Sequence, residues 1–109
     1  MEKSLYSQYC EERLNKTVLE NEHGFISFII DKVFYIEDVF VKKESRGNSE
    51  ADVLYIDAIE IARAKGFKEV FGSVFIKAFS AEKSMQMLLA RQFKFSHIAG
   101  DLIYLKKEL

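Results

Sequence analysis

The sequence has 109 residues, of which 49% are hydrophobic and 30% charged, and a formal net charge of −1. These values are typical of one globular domain, and the spread of Lys and Arg along the chain excludes the basic patch of a nucleic-acid-binding protein. No apolar run approaches the roughly 20 residues of a membrane span, and no signal-peptide pattern begins the sequence. We therefore expect a cytoplasmic protein without nucleic-acid or membrane partners, and the single cysteine, Cys10, fits such a reducing compartment.

The N-terminal part of the sequence predicts one helix followed by three strands. Residues 2–14 mix polar and apolar residues at a spacing compatible with an amphipathic helix, and residues 17–20 fit a short strand. The apolar positions of that helix are Leu5, Tyr6, Tyr9 and Leu14. Residues 25–30 and 33–41 are rich in β-forming residues, and the two residues between them, Asp31 and Lys32, indicate a hairpin.

Residues 49–65 predict the clearest helix of the sequence. Ser49 followed by Asp52 fits a capping box at its start, and Gly66 fits a C-terminal stop. Asp57, Glu60 and Arg63 form a polar stripe along it. The residues expected to face the core are Val53, Leu54, Ala58, Ile59, Ile61 and Ala62.

The remaining residues predict a strand, a helix and a closing hairpin. Residues 69–76 are rich in Val, Phe and Ile, and residues 80–91 fit a second helix. Its expected core positions are Met85, Leu88 and Leu89. Residues 93–98 and 102–105 then form the hairpin. The order α-β-β-β-α-β-α-β-β favours an α+β fold with one mixed sheet and helices packed against it.

The segment from residue 36 to residue 51 runs from a strand, through a loop with one glycine, into a helix. The strand reads IEDVFV and the loop reads RGNSEA, residues 46–51. This run resembles the central motif of the GNAT superfamily of acetyl-CoA-dependent N-acetyltransferases, in which Arg-Gly-x-Gly-x-Gly/Ala separates a strand from a helix. The strand is similar to that of spermidine/spermine-type members, and the segments GFKEV and LIYLKKEL extend the resemblance over residues 24–109.

The resemblance implies a fold and a co-substrate. The fold would be a GNAT-like twisted, mostly antiparallel sheet with flanking helices, splayed between two central parallel strands. Residues 1–109 would form a single domain with a shortened N-terminal part. The co-substrate would be acetyl-CoA, with no metal. The backbone of Val39, Phe40 and Val41 would orient the thioester. The residues implied to hold the pyrophosphate, at a helix N-terminus, are Arg46, Gly47, Asn48, Ser49, Glu50 and Ala51.

The loop departs from the family pattern at two positions. Ser49 replaces the middle glycine, which adds a Cβ where the backbone approaches the phosphates. Glu50, together with Asp52 on the first helical turn, places carboxylates near an expected pyrophosphate. Two interpretations stay open: the loop retains the cofactor with weakened affinity, or Ser49 and Asp52 only cap the helix.

The resemblance assigns catalytic roles to the acidic pair on the same strand. Glu37 would act as the base that deprotonates the amine acceptor through water, and Asp38 would attract a cationic substrate. Adjacent strand residues face opposite sides of a sheet, so both carboxylates line one pocket only if a bulge intervenes. The alternative is an edge or solvent-facing position for Glu37.

The tyrosine with which many family members protonate the leaving thiolate has no counterpart here. Depending on the alignment, its position holds Met85 or Leu88, and neither side chain carries a hydroxyl. Water could supply the proton instead. The tyrosines that could do so by chemistry, or that serve only as packing residues, are Tyr35, Tyr55 and Tyr104.

Two functional hypotheses follow. The first is an N-acetyltransferase that transfers an acetyl group directly to a small-molecule or peptide amine. The second is a non-catalytic GNAT-like protein with a degenerate cofactor site, acting as a binding or regulatory module. The short N-terminal part would leave surface that a homodimer could cover. His23 and His97 lack the spacing of metal ligands.

Overall fold

The computed structural model describes residues 2–109, which form a six-stranded sheet, three α-helices and one 3-10 turn. In chain order the elements are α1 (Leu5–Arg13), β1 (Thr17–Glu20), β2 (Gly24–Ile30), β3 (Phe34–Val41), the 3-10 turn (Lys43–Ser45), α2 (Glu50–Ala64), β4 (Glu69–Phe75), α3 (Ala81–Ala90), β5 (Lys94–Ala99) and β6 (Leu102–Glu108). The order of helices and strands predicted from the sequence is confirmed.

The sheet is mostly antiparallel and splayed at its centre. Its strand order is β1-β2-β3-β4-β6-β5, and only the β3–β4 pair is parallel. These two strands pair at only two positions, Phe34 with Val70 and Tyr35 with Phe71, although both continue for several residues. The gap between β3 and β4 beyond these pairs opens the sheet, as the predicted fold requires.

The hydrophobic core lies where α2 and α3 pack on the central strands. Phe28 and Phe34 are fully buried and stack with their ring centroids 4.7 Å apart. The α2 helix contributes three buried residues at intervals of four, Leu54, Ala58 and Ala62, which is the spacing of one helical face. This packing fixes α2 against β2 and β3 and thereby positions its N-terminus at the end of β3.

The buried face of α1 differs from the prediction. Ser4 caps this helix, its Oγ accepting a hydrogen bond from the Ser7 amide at 3.0 Å. The buried residues are Ser7 and Cys10, one turn apart, and their small side chains let the helix approach β1 closely. The apolar residues expected to be buried are instead exposed, namely Leu5, Tyr6, Tyr9 and Leu14.

Two further expectations about burial are wrong for a common geometric reason. Val53 is 46% exposed and Leu89 is 52% exposed. Each lies next to a core residue, Leu54 and Leu88 respectively, and one residue along a helix turns the side chain by about 100°. Tyr55, not among the predicted core residues, is 6% exposed because it faces α3.

The β2–β3 hairpin turn is longer than predicted. It spans three residues, 31–33, rather than two, and closes with a hydrogen bond from the Asp31 amide to the Val33 carbonyl.

None of the helices that the structure describes has the length and apolar character needed to span a bilayer.

Candidate functional site

The chain that joins β3 to α2 adopts a left-handed backbone at two positions. Gly47 has a φ of +86°, and Ser49, immediately before the helix, has a φ of +61°. An N-cap residue accepts a bond from the first helical turn when its own backbone is extended. Ser49 makes no such bond, so the predicted capping box is wrong. Ser49 instead holds the conformation that glycine adopts most easily, at the position where the family motif has glycine.

A cavity of about 570 Å³ lies between this loop, the end of β3 and α3. Its lining includes eight of the nine residues implied to hold the cofactor, namely Val39, Phe40, Val41, Arg46, Gly47, Ser49, Glu50 and Ala51. Asn48 does not line the cavity and is exposed. The strand, the loop and the helix N-terminus therefore border one space.

The α3 helix supplies a wall of the cavity that the sequence-based analysis missed. The lining residues at and along α3 are Ser80, Lys83, Ser84, Met87 and Arg91. Their spacing of three, one, three and four residues places them on one helical face. The stripe is polar or charged at every position except Met87, so the apolar spacing that predicts this helix does not reveal it.

The cavity has a basic side formed by side chains of the loop and α3. Arg46 donates from Nε to the Val41 carbonyl at 2.8 Å, and its guanidinium carbon lies 5.6 Å from the centroid of the Phe40 ring. The strand end thus holds the Arg46 charge at the cavity. The Nε bond uses one of the five guanidinium donors. The ammonium-bearing Lys83 borders the same space from α3.

Only one of the two carboxylates expected to oppose a phosphate faces this cavity. Asp52 does not line it and forms an ion pair with Arg91, Oδ1 to Nη2, at 2.7 Å. Glu50 does line it, and its Oε2 lies 3.8 Å from His23 Nε2. The negative charge near an anion bound here is therefore smaller than the sequence suggests.

A second cavity, of about 340 Å³, contains both acidic residues of β3. The pairing of β2 with β3 shifts there: Ser27 faces Asp38 while the next residue, Phe28, faces Ile36. Glu37 is thus the extra residue of a β-bulge, which interrupts the alternation of side chains. Glu37 and Asp38 consequently line one cavity, which an unbroken strand would prevent.

The two cavities are contiguous along β3. They share four lining residues, Val39, Ser80, Ser84 and Met87. Val39 belongs to the strand that carries the acidic pair, and the other three come from α3 and the residue before it. A long ligand placed along β3 could therefore reach from the Arg46 loop to the carboxylates without leaving the protein surface.

Glu37 is not free in this structure. Its Oε1 accepts a hydrogen bond from Lys16 Nζ, and the two side chains are 29% and 18% exposed. This hydrogen bond raises the pKa of Lys16 above that of a free lysine. Sequence reasoning did not identify Lys16, because it lies 21 residues away on the approach to β1.

The candidate tyrosines occupy different environments. Tyr35 lines the second cavity, the acidic cavity that contains Glu37 and Asp38, and shares a hydrogen bond with Ser73 Oγ. Burial raises the pKa of Tyr35. Tyr55 lines the same cavity, with its pKa also raised by burial. Tyr104 lines neither cavity and stacks on His97 at 4.7 Å. Leu88, at one of the two positions of the family tyrosine, is buried.

The two histidines contact serine hydroxyls. Within residues 2–109, no three or more His, Cys, Asp or Glu side chains gather in a group that could hold a metal ion. His23 and His97, the two histidines, instead contact Ser45 and Ser96 through Nδ1, each at 3.0 Å.

Comparison with solved structures identifies the fold. A putative acetyltransferase of the GNAT family from Desulfovibrio desulfuricans superposes with a TM-score of 0.78 at 10% identity, covering 95% of this chain and 76% of that one. The PaiA N-acetyltransferase from Thermoplasma acidophilum, in complex with coenzyme A, gives 0.74 at 18% identity, and a GNAT family acetyltransferase from Elizabethkingia anophelis with acetyl-CoA bound gives 0.71 at 17%.

These matches differ in how much of each matched protein they cover. The chain is covered to 94% by the Thermoplasma match and 99% by the Elizabethkingia match, and it spans 66% and 84% of those proteins. The sequence matches no protein-family model, and a search of curated proteins finds no match. At these low identities the structural likeness establishes the fold: the chain has the GNAT fold.

Proposed function

Because the chain has the GNAT fold, we propose that it is an acetyl-CoA-dependent N-acetyltransferase that transfers the acetyl group directly to an amine. The observation that carries this proposal is the contiguity of the two cavities along β3. One is bordered by cations and a helix N-terminus, as a pyrophosphate requires, and the other contains two carboxylates, as a cationic amine requires. Their junction lies at Val39, where the thioester would be held.

The loop before α2 would form the binding site for the pyrophosphate of acetyl-CoA. Gly47 and Ser49 have positive φ values, and turns of this kind can present successive amides to one anion. The N-terminal end of the α2 dipole would favour the same charge there. Arg46 and Lys83 add two positive charges. The Thermoplasma and Elizabethkingia proteins were crystallised with coenzyme A and acetyl-CoA respectively, which supports the same ligand class here.

The proton transfer would take place in the acidic cavity, where the amine acceptor would bind. Glu37 would take a proton from the acceptor ammonium, directly or through water, and Asp38 would attract the cation. The amine nitrogen would then attack the thioester carbonyl, the carbon–sulfur bond would break, and CoA would leave as a thiolate. A thiol has a pKa of about 8.5, so water can protonate this leaving group near neutral pH without a tyrosine.

Calorimetric titration with acetyl-CoA tests the cofactor site. We expect micromolar binding that weakens by roughly 5- to 50-fold in Arg46→Ala and in Lys83→Ala, since each loses a charge-assisted contact. Lys65→Ala is the matched control, because Lys65 lies at the opposite end of α2. Equal weakening in all three variants would mean that the effect is a general one of net charge, and no binding to the parent protein would refute the proposal.

Release of the CoA thiol tests turnover. A diamine, a lysine peptide and a peptide with a free N-terminus would be compared as acceptors, in the parent protein and in Glu37→Gln. We expect release to depend on the acceptor and to fall by about 100-fold in the variant while acetyl-CoA binding persists. Equal release from both proteins would exclude Glu37 as the base.

A non-catalytic binding module is the second candidate. The observation that favours it is the engagement of Glu37 by Lys16, combined with the apolar side chain of Leu88 at a position of the family tyrosine. This alternative predicts no thiol release with any amine. The homodimer also stays a prediction, and light scattering on the purified chain would decide it.

A further inference from the structure

We propose that Lys16 is itself an acetyl acceptor, so that the chain acetylates its own lysine beside Glu37, a residue that lines the acidic cavity. This inference rests on the proposed function, because it uses the same acetyl donor and the same base. It adds a modification site on the chain and identifies the side chain that any external amine must displace.

The position of Lys16 carries the argument. The residue immediately precedes β1, which is separated from β3 by β2 alone. Its side chain donates from Nζ to Glu37 Oε1, and only 18% of it is exposed. A primary amine therefore already contacts the carboxylate that would deprotonate an acceptor.

The distance along β3 is compatible with transfer. Glu37 and Val39 both line the acidic cavity, and Val39 also lines the cavity of the Arg46 loop. Two residues of a strand span about 7 Å, which the lysine side chain and the thioester can bridge from opposite ends. The proposed transfer requires the Lys16 side chain to rotate from Glu37 toward Val39.

The charges around Lys16 match those expected for a bound acceptor. Glu37 is its hydrogen-bond partner, and the Asp38 carboxylate adds a second attraction. The Lys16 pKa is raised mainly by the Glu37 hydrogen bond, so the side chain remains an ammonium until Glu37 removes a proton. Lys16 thus enters the reaction in the same ionic form as an external cationic amine.

The reaction balances with acetyl-CoA as the only co-reactant. Glu37 Oε1 takes a proton from Lys16 Nζ, and the nitrogen lone pair attacks the thioester carbonyl carbon. The tetrahedral intermediate collapses, the carbon–sulfur bond breaks, and the sulfur leaves as a thiolate that takes a proton from water. The second nitrogen proton lost on forming the neutral amide passes to solvent. The product lacks the positive charge, so the ion pair with Glu37 is lost.

The experiment is peptide mapping by mass spectrometry after incubation of the full chain with acetyl-CoA. Lys3 provides an internal control, because it also pairs with a glutamate, Glu11, at 2.7 Å, but it is 59% exposed and its glutamate partner lines neither cavity, whereas Glu37 lines the acidic one. Non-enzymatic acetylation favours the exposed amine. We expect Lys16 to be modified at least about 10-fold faster than Lys3, despite its lower exposure, because a positioned base assists it.

Two variants make the test specific. Glu37→Gln releases Lys16 from the ion pair and makes it more accessible to spontaneous acetylation, yet we expect its modification to slow by roughly 100-fold. Lys16→Arg should show no acetylation at this position and should retain acetyl-CoA binding. The rate constant of the parent protein at fixed acetyl-CoA should not change when the protein is diluted, since the reaction is intramolecular.

The outcomes separate this inference from the proposed function. If calorimetry shows acetyl-CoA binding but Lys16 stays unmodified, or is modified no faster than Lys3, this inference fails and the cofactor site stands. A rate that falls with dilution overturns the intramolecular route. If acetyl-CoA does not bind, the proposed function and this inference fail together.

Discussion

Arg91, the residue immediately after α3, and Asp52 on α2 form an ion pair of 2.7 Å that joins the two helices bordering the larger cavity. The same guanidinium lies 4.6 Å from the centroid of the Tyr55 ring and donates to the Met87 carbonyl at 2.8 Å. One arginine thus pairs with a carboxylate near the candidate phosphate site and packs on an aromatic ring.

The Arg91→Met variant tests this contact. Removing the guanidinium leaves Asp52 without its partner and the Tyr55 ring without its cation. We therefore expect the free energy of unfolding, measured in urea, to fall by about 1–3 kcal/mol. Arg63→Met, on the exposed stripe of α2, is the control and should change stability by no more than about 0.5 kcal/mol. Equal losses in both variants would show that the helix contact contributes nothing specific.

The left-handed backbone at Ser49 predicts that glycine improves this position. Relief of about 1 kcal/mol of backbone strain is partly offset by the greater freedom of glycine in the unfolded chain. Ser49→Gly should therefore raise the free energy of unfolding by about 0.5 kcal/mol. Ser80→Gly is the control: Ser80 immediately precedes α3 and has a φ of −107°, so glycine there should destabilise the protein. Destabilisation by Ser49→Gly would contradict the assigned backbone conformation.

Glu50 is the carboxylate that faces the candidate cofactor cavity, with only 22% of its side chain exposed. We expect Glu50→Gln to lower the Kd for acetyl-CoA by roughly 3- to 10-fold, because it removes a like charge beside the pyrophosphate. Glu60→Gln makes the same charge change on the exposed half of α2 and should leave the Kd unchanged. Calorimetry at two salt concentrations measures both, and a weaker Kd in Glu50→Gln would show that this carboxylate supports the loop rather than opposing the ligand.

Gly24 tests how closely β2 approaches the strand of the candidate site. A Cβ at this position would lie 2.0 Å from the Phe40 carbonyl oxygen, a backbone atom that cannot move without displacing β3. We expect Gly24→Ala to cost about 3 kcal/mol and to weaken acetyl-CoA binding. In Gly72→Ala the nearest atoms are side-chain atoms of Leu88 at 3.5 Å, so that variant should cost much less. Thermal unfolding of both variants measures the loss of stability. Equal losses would show that the β2–β3 contact can accommodate a Cβ at Gly24 and would contradict this prediction.

Glu20 links β1 to α1 and gives the fold an acid-sensitive contact. A hydrogen bond from the Ser7 hydroxyl is the main cause that lowers its pKa. Because the folded pKa lies below the unfolded value of about 4.3, the stabilisation is fully present above that pH and is lost as the pH falls through the folded value. Partial exposure limits it to about 1 kcal/mol.

Comparison of the parent protein with Glu20→Gln would measure this contribution. The difference in thermal midpoint should be largest at neutral pH and should shrink as the pH falls below about 4. Glu12→Gln, at an exposed position of α1, is the control and should show no such convergence. A difference that grew toward acid would contradict the sign of the pKa change.

The sequence by itself determined the order of the secondary structure and the location of the loop before α2. These features depend on local patterns: β-rich runs of strand length, apolar residues at helical spacing, and Gly66 at the end of α2. Residues within a few positions of one another set such patterns, so a single chain is enough to read them. The same holds for the resemblance over residues 36–51, which pointed to the GNAT fold.

The tertiary structure alone decided which side chains meet. The bulge that places Glu37 and Asp38 in one cavity depends on the pairing of β3 with β2. Lys16 reaches Glu37 because β1 joins the same sheet. The exposure of the larger apolar residues of α1 follows from how closely that helix approaches β1 through its small residues. Each contact joins residues far apart in the chain, and its energy depends on the geometry of the assembled sheet, which local spacing does not encode.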